Sequence, residues 1–87
     1  MYRDSFSKTF TKKVLKLKKK DPKHYFILYS KINWILANAE HRFKFLQHGK
    51  KGMQRIHIGH FVLVFVVDYS NKSIFFEDYD HHDKIYI

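Results

Sequence analysis

The sequence predicts an α+β fold, an N-terminal two-helix hairpin packed on an antiparallel β-sheet of three to four strands, in a single domain spanning 1–87. Three observations predict it. The apolar period is helical through the first forty residues or so and becomes two in the last third. A glycine-bounded basic stretch, Gly49-Lys50-Lys51-Gly52, separates the two regimes. A chain of 87 residues is long enough for one hydrophobic core and too short for two. With 45% apolar residues it is too rich in core formers to stay disordered, and with no cysteine its stability must come from packing.

The first helix starts near Ser7: Phe10, Val14 and Leu17 recur at helical spacing, and Lys8, Lys12, Lys13, Lys16, Lys19 and Lys20 fill the other faces. Asp21-Pro22 restarts the chain, because Asp caps free amides and Pro at the first helical position gives up no needed donor. In the second helix Tyr25, Leu28, Tyr29, Ile32, Ile35 and Leu36 form one stripe that stops near Asn38. Phe26, Ile27 and Trp34 lie off that stripe, which predicts a second helix sandwiched between two layers.

Ala39 to Gly52 shows no clean period. Gln54, Ile56 and Ile58 then alternate with Met53, Arg55 and His57 in a strand that Gly59-His60 turns into a hairpin. The run from Phe61 to Val67 is apolar on both faces, as a central strand is. Tyr69 to Lys72 makes a turn, and Ser73 to Tyr79 is the last strand, with Ile74, Phe75 and Phe76 packing. Tyr2 to Phe6 is a candidate edge strand.

Charge narrows the function. The chain holds 17 basic and 8 acidic residues, a net +9. Residues 1–60 carry 15 basic against 3 acidic, and residues 61–87 carry 2 against 5. An uneven excess of this size favours a polyanionic partner and points the N-terminal part toward it. Lys12, Lys13, Lys16, Lys19 and Lys20 on the first helix, with Lys50 and Lys51 in the loop, are the candidate RNA-binding cations, although a lysine face also serves solubility. No apolar run reaches membrane length, which argues for a cytoplasmic protein and no membrane partner.

The order of elements and three stretches resemble the RelE/ParE toxin superfamily: Phe6-Ser7-Lys8-Thr9-Phe10 with the lysine-rich helix and Lys20-Asp21-Pro22, then Gly49 through Asp68, then Asp78 through Tyr86. The resemblance covers nearly the whole chain. It implies a RelE-like fold and a toxin of a type II toxin–antitoxin system. Such a toxin is an mRNA endoribonuclease, in some members ribosome-dependent, that inhibits translation and is neutralised by a RelB-like antitoxin. Within the superfamily the alternative is a non-nuclease toxin such as a ParE-like gyrase inhibitor; on charge alone, a basic nucleic-acid-binding protein also remains open.

Metal-free RNA cleavage requires a base for the 2′-hydroxyl, donors or cations for the phosphorane-like transition state and an acid for the leaving 5′-oxygen. Arg55 and His57, two apart on a strand, point to one face. In the resembling ribonucleases this strand presents Lys or Arg at both positions, so Arg55 matches and His57 substitutes a titratable group. His81, His82 and Tyr86 resemble the C-terminal location of a catalytic Arg or His and a Tyr. If the segment is extended, only one of the two histidines reaches the phosphate, with His82 favoured and Asp83 or Asp80 as its orienting carboxylate. On the same premise adjacent histidines do not converge on one ion, so neither a metal nor another cofactor is expected. A salt bridge from Arg55 to the acidic last strand, and Tyr86 closing the edge of the core, are the bland alternatives. One departure stands out: many family members carry Arg where this chain has Val62.

Overall fold

The computed structural model describes residues 1–41, 43–46 and 52–86, so Lys50 and Lys51 lie outside the described residues. The element order is β1 (Arg3–Phe6), α1 (Lys8–Lys20), α2 (Pro22–Ala37), β2 (Lys44–Phe45), β3 (Gln54–Ile58), β4 (Phe61–Asp68), β5 (Ser73–His81) and a one-turn α3 (His82–Ile85). The sheet runs β1-β5-β4-β3-β2.

Both helix boundaries follow from capping. The Ser7 hydroxyl accepts from the Phe10 amide at 2.9 Å and opens α1. Asp21 closes α1 through its own amide, donated to the Leu17 carbonyl at 2.8 Å, and opens α2 by accepting from the His24 amide at 3.1 Å. The α1 and α2 stripes meet one face of the sheet, where Phe10, Val14, Leu28, Ile32, Ile35 and Leu36 pack on Leu63, Phe65, Ile74, Phe76 and Tyr79. Phe6, Phe10 and Phe76 stack at centroid separations of 5.5 to 6.0 Å and fasten α1 to the two strands at the sheet edge.

Four expectations need correction. The sheet has five strands and is mixed, because β1 pairs parallel to β5, Arg3 opposite Ser73 through Phe6 opposite Phe76. A two-residue β2 pairs Lys44 with Arg55 and Phe45 with Gln54; it is too short to show a period. The helix α2 is not sandwiched: Phe26 is 71% exposed, and Ile27 and Trp34 are also exposed. Finally, Phe75 does not pack beside Ile74 and Phe76 but points to the other face, as strand alternation requires.

The last strand also changes parity along its length. Val64 pairs with Asp78 and Phe65 with Phe76, leaving Glu77 as a bulge residue. The bulge returns Tyr79 to the core face and turns Asp78 and Asp80 to the face opposite the helices, where they flank Val64 and Val62. Those two valines, fully buried although outside the helix-facing core, floor this second face. A two-residue turn joins β3 to β4, with Gly59 at φ +60°, a backbone region open to glycine at little cost.

Candidate RNA-binding face

Of the sequence-predicted residues, the second face brings together Arg55, His57 and Tyr86. Register places Lys44 beside Arg55 and His57 opposite Val62, so all three side chains leave the sheet on the side away from the helices. Arg55 Nη1 donates to His57 Nδ1 at 3.2 Å. That contact puts the proton of the neutral imidazole on Nε2. Burial first, then the charges of Arg55, His82 and Lys44, hold His57 below the ordinary imidazole range. The Tyr86 ring stacks on His57 at 6.3 Å and 29°, so the C-terminal turn and β3 meet over one spot. Beside it lies a cleft of about 310 Å³ lined by His41, Phe43, Lys44, Arg55, Ile56 and His57.

The two C-terminal histidines part company, though not through strand alternation. The strand ends at His81 and α3 starts at His82, so the chain bends between them and both Nδ1 atoms come near Asp83. His82 Nδ1 is 2.9 Å from one Asp83 carboxylate oxygen and His81 Nδ1 3.5 Å from the other. The extended-chain premise is therefore corrected, for the paired histidines and for the geometric objection to their converging. His81 also accepts from the Asp83 amide at 3.3 Å as the cap of α3, and its ring stacks with His60. His82 stays exposed, its amide tied to the His60 carbonyl at 2.9 Å.

Arg55 makes no salt bridge to the acidic strand. Asp78 and Asp80 are both taken by Lys13, at 2.7 and 2.8 Å. Lys13 reaches them because β1 covers β5 only as far as Phe76, which leaves the β5 edge beyond it open to α1. Burial alone would raise the Asp80 carboxyl, but donation from Lys13 and from the His81 amide outweighs it and holds the group below the usual range. Lys13 is thus spent internally, while Lys12, Lys16, Lys19 and Lys20 remain exposed. Sequence reasoning missed two participants and the internal role of a third. Lys44 and His41 sit in a stretch without periodicity, and Lys13 reads as one solvent lysine among many until the bulge at Glu77 is known.

Three solved structures that share this fold are toxins or toxin–antitoxin complexes. The Mycobacterium tuberculosis RelBE2 toxin–antitoxin complex aligns with a TM-score of 0.75 at 20% identity, covering 93% of this chain and 98% of the other. The isolated Escherichia coli RelE toxin gives 0.74 at 17%, covering 93% and 84%, and the archaeal RelE–RelB complex of Pyrococcus horikoshii gives 0.67 at 21%, covering 92% and 93%. At such identities the likeness is one of fold, and the fold is that of the toxin half of these pairs. No family model matches the chain.

Curated relatives carry the assignment further. A Methanocaldococcus jannaschii protein with the assigned name toxin RelE4 is 40% identical over 87 residues, 99% of this chain and 92% of its own. An uncharacterised Methanosarcina mazei protein is 49% identical over 72 residues, 82% of this chain and 83% of its own. The chain belongs to the RelE family of toxins.

Proposed function

We propose that the protein is a metal-independent endoribonuclease that cleaves messenger RNA, on the ribosome or free, and so inhibits translation. The observation that carries this reading is the cluster of Arg55, His57 and Tyr86 beside His82, with Arg55 3.2 Å from His57 and Tyr86 stacked on the imidazole. Arg55 and the Nε2–H of neutral His57 bind the non-bridging oxygens of the scissile phosphate, and Lys44 adds a third source of positive field. His82 donates its Nδ1–H to Asp83, which leaves Nε2 as the base that takes the 2′-hydroxyl proton. The 2′-oxygen attacks phosphorus, the bond to the 5′-oxygen breaks, and the Tyr86 phenol protonates that leaving oxygen. The exposed lysines of α1, with Lys50 and Lys51, hold the RNA backbone.

A RelB-like antitoxin is the proposed partner. An acidic amphipathic segment matches the basic α1 surface, and the exposed Phe26, Ile27 and Trp34 of α2 offer apolar anchors. A second reading, a non-nuclease toxin such as a gyrase inhibitor, is favoured by Val62 standing where many family members carry a cation, since one missing preorganised charge costs about two orders of magnitude in rate. Inducible expression of wild type and of Arg55→Ala, His82→Ala and Tyr86→Ala, with mapping of mRNA 5′ ends, separates the two. New 5′ ends that disappear in the variants are expected; growth arrest by the wild type without new ends would remove the nuclease reading.

A further inference from the structure

On the helix side of the sheet a cleft of about 360 Å³ opens between α1 and the ends of β4 and β5. Its floor is apolar, made of Leu17, Phe61 and Tyr79. Phe61 and Tyr79 stack at 5.2 Å and 21°. His24 Nε2 lies 2.7 Å from the Tyr79 hydroxyl, and the His24 ring meets Phe61 edge-on at 4.6 Å. The aromatic floor is therefore rigid and its one polar atom already has a partner. The rim is basic: Lys16 and Lys20, one helical turn apart, border the cleft, and neither forms an ion pair among the described residues. Lys13, at the wall, is occupied by Asp78 and Asp80.

We propose that this cleft binds one nucleotide of a single-stranded RNA, its base against Phe61 and Leu17 and its phosphate on Lys16 and Lys20. The two halves of the cleft demand different chemistry. Ammonium groups at the rim call for an anion, whereas a fixed aromatic floor calls for a flat apolar body; a nucleotide carries both in one ligand. An acidic peptide satisfies the rim and leaves the floor to aliphatic side chains, and inorganic phosphate leaves it in water. The volume suits a small-ligand site, for which about 300 Å³ is the lower end.

Position adds a further argument. Asp80 in the cleft wall directly precedes the two C-terminal histidines, and Phe61 directly precedes Val62, which pairs with His57. The cleft thus lies at the same end of the sheet as the proposed catalytic cluster, on the opposite side. An RNA strand crossing the catalytic face and rounding this end would place a neighbouring nucleotide in the cleft. Naming RNA as the source of the nucleotide rests on the nuclease reading; affinity for a mononucleotide does not.

The test is an amide-resolved NMR titration of the full chain with AMP, UMP and inorganic phosphate. Saturable shifts at Leu17, Phe61 and Tyr79 with AMP, larger than those with phosphate at equal concentration, are expected. The Lys16→Glu/Lys20→Glu double variant should weaken AMP binding by about tenfold, and Lys8→Glu/Lys18→Glu, which reverses as much charge away from the cleft, should weaken it less. Identical responses to AMP and phosphate, or no saturation by about 10 mM AMP, overturn the proposal. So does a poly-glutamate peptide that binds the cleft more tightly than AMP. AMP binding at Leu17 and Phe61 in a protein that generates no new mRNA 5′ ends would uphold the cleft and remove only the nuclease reading.

Discussion

Val62 lies directly opposite Asp80 across β4 and β5, and Asp80 is neutralised by Lys13 of α1, 2.8 Å away. The strand position is apolar here, and the carboxylate opposite it draws its cation from a helix. The arrangement welds α1 to the edge of the second face. Replacing Lys13 by Met keeps the aliphatic stem and leaves Asp78 and Asp80 repelling each other. Because the three groups are only partly buried, a loss of about 1 kcal/mol is expected, read as a fall of about 4–8 °C in melting temperature for a domain of this size. An unchanged melting temperature would mean that the bridge contributes nothing.

The same bridge sets an acid limb. The folded Asp80 carboxyl lies below its unfolded value, so its contribution is complete above an unfolded pKa of about 3.9 and is lost as pH falls through the folded value. Urea midpoints measured from pH 5 downward should decline, and Asp80→Asn should flatten that decline as well as lower the plateau. A parallel decline in the variant would assign the acid sensitivity to other carboxylates.

Burial separates two phenylalanines that composition treats alike. Phe76 is fully buried among Phe6, Phe10 and Phe65, whereas Phe26 is 71% exposed. Phe76→Ala should cost about 3–5 kcal/mol and Phe26→Ala less than about 0.5 kcal/mol, both from chemical denaturation. Comparable costs would place Phe26 in a contact that the fold does not contain.

What the sequence disclosed and what it hid divide along the range of the interactions involved. The helical hairpin was legible because its signals are local: Ser7, Asp21 and Pro22 act within three residues of where they stand. Strands β3 and β4 were legible because alternation and a two-residue turn are local too. The partner and direction of β1 were not, since pairing with β5 joins residues 70 apart. The bulge at Glu77 was hidden for a related reason, and with it went the Lys13 bridge; the side of Phe75, by contrast, follows from alternation with Ile74 and Phe76. That Arg55 and His57 share one face could be read from spacing alone. The meeting of His57 with Tyr86 and the bend at His81-His82 required the three-dimensional path of the chain.

Asp21 serves two helices at once, its amide ending α1 and its carboxylate opening α2. Asp21→Ala retains the amide and deletes only the cap on α2, for which about 1 kcal/mol is expected. Asp21→Asn, which still accepts from the His24 amide, should recover most of it. Equal losses in the two variants would show that the negative charge, rather than the hydrogen bond, is what stabilises this corner.

His57 and Arg55 give a prediction with a definite sign. Burial and the adjacent guanidinium both disfavour the imidazolium, so the folded His57 titrates below its unfolded value of about 6.5. The group therefore contributes stability that is complete above that unfolded value and is lost as pH falls through the folded one. Followed by NMR through its ring Cε1–H, His57 should titrate with a midpoint below that unfolded value. Arg55→Gln removes the nearest charge but not the burial, so the midpoint should rise without reaching the free-peptide value. A midpoint that does not move would assign the whole depression to burial and deny the 3.2 Å contact an electrostatic role. The same variant bears on the proposed chemistry in a separable way. Loss of Arg55 takes a cation from the phosphate whatever the protonation state of His57, so cleavage should fall at every pH. If the loss instead disappeared at high pH, the guanidinium would be acting only by keeping His57 neutral, and Arg55 would be a positioning residue rather than a ligand of the phosphate.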